Sequence, residues 1–191
     1  MKTAVIIIDM QNAFFTGSFV SRGFELLNKE ETITNIKKLC TYAQEKKWFI
    51  VFTKLGFSPD YHDAGLLVKK YPEIKTGKAY QGKDGEIIDA LKVLPKEIII
   101  VKTRYDSFYN TKLERVLKEK NIEKIICAGV LTNVCVESTV RSAFEKGFKV
   151  TVIKDATTTD DEQLQNASLK TIEKHFGEVK KCSEIISINN Y

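Results

Sequence analysis

The feature that most constrains this chain is a series of short apolar runs that do not alternate with polar residues. They are Ala4–Ile8, Trp48–Thr53, Glu97–Val101, Lys124–Ala128, Lys149–Ile153 and a weaker one at Glu184–Ile188. Rich in Ile and Val, they have the pattern of strands covered on both faces. Between them lie stretches with helical spacing: Thr32–Lys46, Glu86–Leu91, Thr111–Glu119, Val134–Lys146 and Asp161–Phe176. In the third, Leu113, Val116 and Leu117 share one helical face. Gly147 follows the fourth, where helices commonly stop. Strands alternating with helices predict an α/β fold, a parallel sheet between helical layers.

With no linker, composition break or repeat, the 191 residues read as a single domain, 1–191. A hydrophobic share of 43% with 29% charged residues is that of a globular chain rather than a disordered one. The net charge of +5 is spread through interleaved Lys, Arg, Asp and Glu. No basic stripe marks a nucleic-acid or membrane surface, and neither partner is expected. No segment approaches the ~20 apolar residues of a membrane span. The opening run meets the charged Asp9 too soon for a secretory signal, so a cytoplasmic protein is expected. The irregular stretch from Gly56 to Gly85 is either a lid or oligomer contact, or a plain surface excursion.

Open parallel sheets bind ligands beyond the carboxyl ends of their strands. Asp9 closes the first run and Lys102 closes Ile98–Val101. After Ile125–Ala128, the segment Gly129–Cys135 turns directly into a helix. Asp9, Lys102 and Cys135 should therefore gather at one edge of the sheet. Cys135 differs from Cys40, Cys127 and Cys182, whose default is a buried small apolar residue. A helix N-terminus and a nearby ammonium both favour a thiolate. An aspartate in reach could take the thiol proton and return it to a leaving amine. Each residue also has a plainer reading: a turn aspartate, a solvated strand end, a core cysteine. At this level both readings stand.

Three segments carry a resemblance to a known family. "VIIIDMQNAFF", "VKTRYDSFYNTKLERVL" and "CAGVLTNVCVESTVRSAFEKGFKVTVIKDATTT" resemble, in order, the first strand, the lysine segment and the nucleophile segment of the isochorismatase-like cysteine hydrolases. The resemblance implies a three-layer α/β/α sandwich, Rossmann-like, with a six-stranded parallel sheet in the order 3-2-1-4-5-6. It implies Asp9, Lys102 and Cys135 as a catalytic triad. It further implies a cis peptide at Val130–Leu131, aiming the Leu131 N–H, with that of Cys135, at a developing oxyanion. Isochorismatases proper replace the cysteine, so its presence favours the amide-cleaving branch.

Nicotinamidases of the family carry an Asp-x-His metal site just after the second strand, where this chain has Leu55 and Phe57. Asp60 and His62 have that spacing but come too late, so His62 is read as a surface or pocket-rim residue and no metal or other cofactor is expected. "FSPDYHDAG" instead resembles the metal-free branch of carbamoylsarcosine and ureidoacrylate amidohydrolases. The implied activity is hydrolysis of a small amide or ureido/carbamoyl C–N bond through an acyl-enzyme. A nicotinamidase-like amidase, or a non-catalytic member acting as a binding or structural protein, are the alternatives. Phe14, Arg104 and Tyr105 are candidate substrate contacts, Arg104 through a substrate carboxylate. By analogy, a dimer or tetramer is expected.

Overall fold

The computed structural model describes residues 1–187. Six strands form one all-parallel sheet in the order β3-β2-β1-β4-β5-β6. Their ranges are β1 Thr3–Ile8, β2 Phe49–Leu55, β3 Ile98–Lys102, β4 Lys124–Val130, β5 Lys149–Thr158 and β6 Glu178–Lys180. The helices are α1 Asn12–Phe15, α2 Lys29–Glu45, α3 Leu67–Lys70, α4 Glu73–Thr76, α5 Leu113–Glu119, α6 Glu137–Glu145, α7 Glu162–His175 and α8 Cys182–Ile186.

The expected three-layer order follows from burial. β1 is buried along its whole length, so both of its faces are covered. α2 and α8 pack on each other and α2 reaches β1, β2, β4 and β5; α6 and α7 pack together against β5. Each fully buried Ile of β1 contributes about 1.5–3 kcal/mol relative to exposure. Gly147, at φ 83°, stands where α6 ends, as its position predicts.

Two expected elements fold differently. The last strand is Glu178–Lys180; Glu184–Ile186 belongs to α8, and Ile188 lies outside the described residues. The Glu184 carboxylate accepts the Lys181 N–H at 2.6 Å and Asp155 Oδ1 accepts the Cys182 N–H at 2.7 Å, which caps a helix there. Cys182 and Ile185, one turn apart, then face inward. Glu86–Leu91 is not helical: it pairs through a bridge at Ile87 and then turns at Asp89 and Ala90. The Asn12 N–H donates to Glu86 O, the Ile88 N–H donates to Met10 O, and Gln11 bridges Ile87, so tertiary pairing claims this backbone.

Register places the strand ends level. Ile8 pairs with Thr53 and with Gly129, and Leu55 pairs with Lys102. A Cβ on Gly129 would lie 2.1 Å from Ile8 O, so only glycine permits this approach of β4 to β1. The stretch from Gly56 to Gly85 holds α3, α4 and two 3-10 turns, and it is pinned to the same edge. Buried Gln11 donates to Leu55 O at 2.8 Å and Gly85 O at 2.9 Å.

Candidate active site

Asp9 leaves β1 in the left-handed region, at φ 50°, a conformation that aspartate tolerates better than most residues. This turns its carboxylate across the sheet end. Oδ1 accepts the Thr53 hydroxyl at 2.8 Å, and Oδ2 lies 2.7 Å from Lys102 Nζ. Both charged side chains are 0% exposed. Lys102 Nζ also donates to Arg104 O at 3.0 Å and Tyr105 O at 2.7 Å. Burial opposes the ammonium charge, yet Asp9 and Cys135 outweigh it and raise the Lys102 pKa. The lysine is therefore a fixed cation.

Cys135 sits in a single π-type turn, Thr132–Val136, ahead of α6, rather than within the α-helix expected from Val134 onward. The turn is closed by the Val134 and Val136 N–H groups, both donating to Leu131 O at 3.1 Å. Such turns recur at functional sites. Below it, Thr157 Oγ1 donates to Gly129 O at 2.7 Å and lies 2.8 Å from Thr132 Oγ1, so Thr132 is the donor in that pair. Ser168 and Gln165 of α7 hold Thr132 O and Thr157 O. The Val130–Leu131 peptide is cis, as expected, and the Leu131 N–H lowers the Cys135 pKa.

The three sequence-predicted residues are thus in one place. Asp9 and Lys102 both act on the Cys135 thiol, the lysine lowering its pKa and the aspartate raising it. The expectation of a depressed thiol pKa is not met. Burial, with Cys135 only 2% exposed, pushes it up; Lys102 pulls it down, the Asp9 charge and hydrogen bond raise it, and the Leu131 N–H lowers it. The site holds one ammonium and one negative charge. Moving a proton from sulfur to Asp9 relocates that charge without creating a new one. Cys127, raised to about 12 by burial alone, has no such partners.

Around the thiol is an aromatic wall that spacing did not reveal. Tyr80 is buried, and burial, Cys135 and Asp9 raise its pKa well above the usual value, so its hydroxyl stays protonated beside them. Its ring meets Phe14, Phe19 and Phe57 at centroid distances of 5.9, 5.5 and 5.8 Å. Phe14 is therefore one ring behind Tyr80; burial, Tyr71 and Cys135 push the Tyr105 hydroxyl up to about 12. Tyr80 has φ 63°, and its N–H donates to Asp84, which also accepts from Ser18. Arg104 flanks Tyr105, its Nη1 donating to Asp63 O and Thr103 O at 2.9 and 2.6 Å. His62 is exposed, 2.8 Å from Asp60. Among the described residues no cluster of three or more His, Cys, Asp or Glu is arranged for a metal, and no helix is long and apolar enough to cross a membrane.

A groove of ≈ 710 Å³ at the amino ends of β1 and β2, lined by residues such as Lys2, Trp48 and Phe49, lies at the opposite edge of the sheet and takes no part in this site.

The sequence model of the Isochorismatase domain family matches residues 3–183. The chain is 32% identical over 204 residues to the ureidoacrylate amidohydrolase RutB of Agrobacterium fabrum, covering 98% of this chain and 90% of that protein. It superposes on the crystal structure of a cysteine hydrolase from Pseudomonas syringae pv. phaseolicola with a TM-score of 0.89 and 29% identity, over 97% of this chain and 91% of the other. N-carbamoylsarcosine amidase from Thermoplasma acidophilum shares the fold, with a TM-score of 0.77 at 21% identity over 95% and 97% of the two chains. Family model, sequence relatives and fold agree with the site's geometry: the chain belongs to the isochorismatase family.

Proposed function

We propose that this protein is a cysteine-dependent amidohydrolase that cleaves a small ureido, carbamoyl or related amide C–N bond. The observation that carries the reading is a fully buried ammonium–carboxylate pair, 2.7 Å apart, at the sheet edge to which β4 delivers the Cys135 turn, with both charges acting on the thiol. Likeness to a ureidoacrylate amidohydrolase over nearly the whole chain supports the bond class.

Sγ of Cys135 attacks the carbonyl carbon as its proton passes to Asp9 Oδ2, which makes the ion pair but accepts no well-aligned hydrogen bond. Lys102 offsets the negative charge wherever it resides. The oxygen of the tetrahedral intermediate is stabilised by the N–H groups of Cys135 and Leu131. The C–N bond then breaks, and the nitrogen leaves with the proton held by Asp9. Water adds to the thioester or thiocarbamate and gives its proton to Asp9. The C–S bond breaks, releasing the acid product and restoring the thiol.

Ammonia release from a panel of ureido, carbamoyl and carboxamide compounds tests this. Release from a ureido compound, unaffected by a chelator and abolished in Cys135→Ala, is the expected result. Release that persists in Cys135→Ala sinks the covalent mechanism. Release from nicotinamide alone corrects the substrate class.

A further inference from the structure

Thr53 is a polar residue that follows the apolar run Phe49–Phe52, and it is fully buried. In register it lies between Ile8 of β1 and Ile100 of β3. A buried hydroxyl costs free energy unless it is hydrogen-bonded, and a valine of the same shape would fill the space without that cost. Among the described residues the Thr53 hydroxyl has one partner, Asp9 Oδ1, to which it donates at 2.8 Å.

The rest of Asp9 is held as firmly. Its N–H donates to Thr53 O at 3.1 Å, and its carbonyl accepts the Gln11 N–H at 2.7 Å. Gln11 is clasped in turn to β2: its Nε2 donates to Leu55 O and its Oε1 accepts the Leu55 N–H, each at 2.8 Å. These bonds fix the left-handed backbone of Asp9, at φ 50°, from both sides. Every polar atom of Asp9 therefore has a hydrogen-bond partner except Oδ2, which has the ion pair with Lys102 at 2.7 Å.

The two carboxylate oxygens are thus inequivalent. A proton on Oδ1 would have to be donated to Thr53 Oγ1. The hydrogen of the threonine would then lose its acceptor, between register neighbours, Ile8 and Ile100, whose side chains offer none. A proton on Oδ2 leaves the Thr53 bond intact, because a protonated carboxyl still accepts at its other oxygen.

We propose that Thr53 is a positioning residue for the reaction: by holding Oδ1, its hydroxyl makes Oδ2 the oxygen that takes the proton of the Cys135 thiol and gives it to the leaving nitrogen. No covalent bond to Thr53 is made or broken in the cycle. The assignment rests on the reading of Cys135 as nucleophile and Asp9 as its acid/base.

Two substitutions separate the hydroxyl from packing. Thr53→Val keeps the shape and removes the hydroxyl, whereas Thr53→Ser keeps the hydroxyl and removes a methyl. A residue that only packs makes Thr53→Val the better variant; a residue that positions Asp9 reverses the order. Two leaving groups separate proton delivery from general damage. 4-Nitrophenyl acetate acylates a thiol and expels 4-nitrophenolate, which leaves without a proton. A ureido or carboxamide nitrogen has to be protonated as it leaves.

The full chain is mixed with 4-nitrophenyl acetate, and the burst above that of Cys135→Ala gives the acylation rate and counts the folded sites. Ammonia release per site, from the panel compound that the wild type turns over, gives kcat and KM. Thr53→Val should lower kcat for ammonia release by about 10–100-fold, with KM and burst rate within about threefold of wild type. Thr53→Ser should keep all three within about threefold. Equal kcat in Thr53→Val and wild type, equal losses on both leaving groups, or a Thr53→Ser no better than Thr53→Val overturns the positioning role and leaves the nucleophile standing. A wild type with no burst above Cys135→Ala, or with a burst but no ammonia from any panel compound, overturns the amidohydrolase reading and the role of Thr53 with it.

Discussion

At the scale of single residues, the site turns on where one negative charge sits. Asp9 raises the Cys135 pKa through its charge and its hydrogen bond, whereas Lys102 and the Leu131 N–H lower it. Asp9→Asn removes the raising influences and keeps the lowering ones. Thiolate then forms at lower pH and becomes more abundant near neutrality, because the thiol is the stronger acid. Iodoacetamide labelling of Cys135 near pH 7 should therefore speed up, while hydrolysis falls by about 10²–10⁴ for want of a general acid/base. Slower labelling in that variant would show that Asp9 activates the thiol in the resting state. Orphaning the buried ammonium should also cost about 3–5 kcal/mol of stability, readable in urea unfolding. Asp9, Lys102 and Cys135 were legible in the sequence because each ends or follows an apolar run. Tyr80 was not. It is held by a left-handed backbone and by Asp84, which accepts from Tyr80 and Ser18, partners remote from the strand ends that spacing picks out.

At the scale of elements, helix ends and ties between helices set local stability. Asp161 caps α7 by accepting the Leu164 N–H at 2.8 Å. Asp161→Ala should cost about 0.5–2 kcal/mol, measured as a lowered urea midpoint. The same change should loosen the floor of the nucleophile turn, because Gln165 and Ser168 of α7 hold Thr157 O and Thr132 O. Glu114 joins α5 to the end of α6 through Lys118 and Lys146, each at 2.6 Å. Hydrogen bonds to those lysines lower its pKa from the usual 4.5 to about 2. A depressed carboxylate pKa adds stability above the unfolded value and loses it as pH falls through the folded one. Glu114→Gln should therefore lower stability at pH 7, with the gap to wild type closing between about 4.5 and 2; circular dichroism across that range reads it. A constant gap would mean the residue acts through packing. The helix expected at Glu86–Leu91 and the strand expected at Glu184–Ile188 fail for one reason. Short apolar spacing cannot see the backbone pairing with Met10 and Asn12, or the cap that Glu184 supplies.

At the scale of the whole molecule, the strand order 3-2-1-4-5-6 brings three segments far apart in sequence to one edge. The alternation of buried strands and helices reveals a parallel sheet from sequence alone; the order of strands came from family resemblance and is now seen in the register. The π-type turn depends on its ties to β5 and α7, and the aromatic wall on packing of the stretch from Gly56 to Gly85 against that edge, which no periodicity encodes. The central claim is that this edge performs covalent catalysis at Cys135. The most direct measurement is acid quenching of the enzyme during turnover of a ureido or carbamoyl compound, followed by mass analysis of the Cys135 peptide. The account predicts a mass increase equal to the acyl or carbamoyl group on Cys135, absent in Cys135→Ala along with the activity. Steady turnover with an unmodified Cys135 peptide, matched by an active Cys135→Ala, would contradict it.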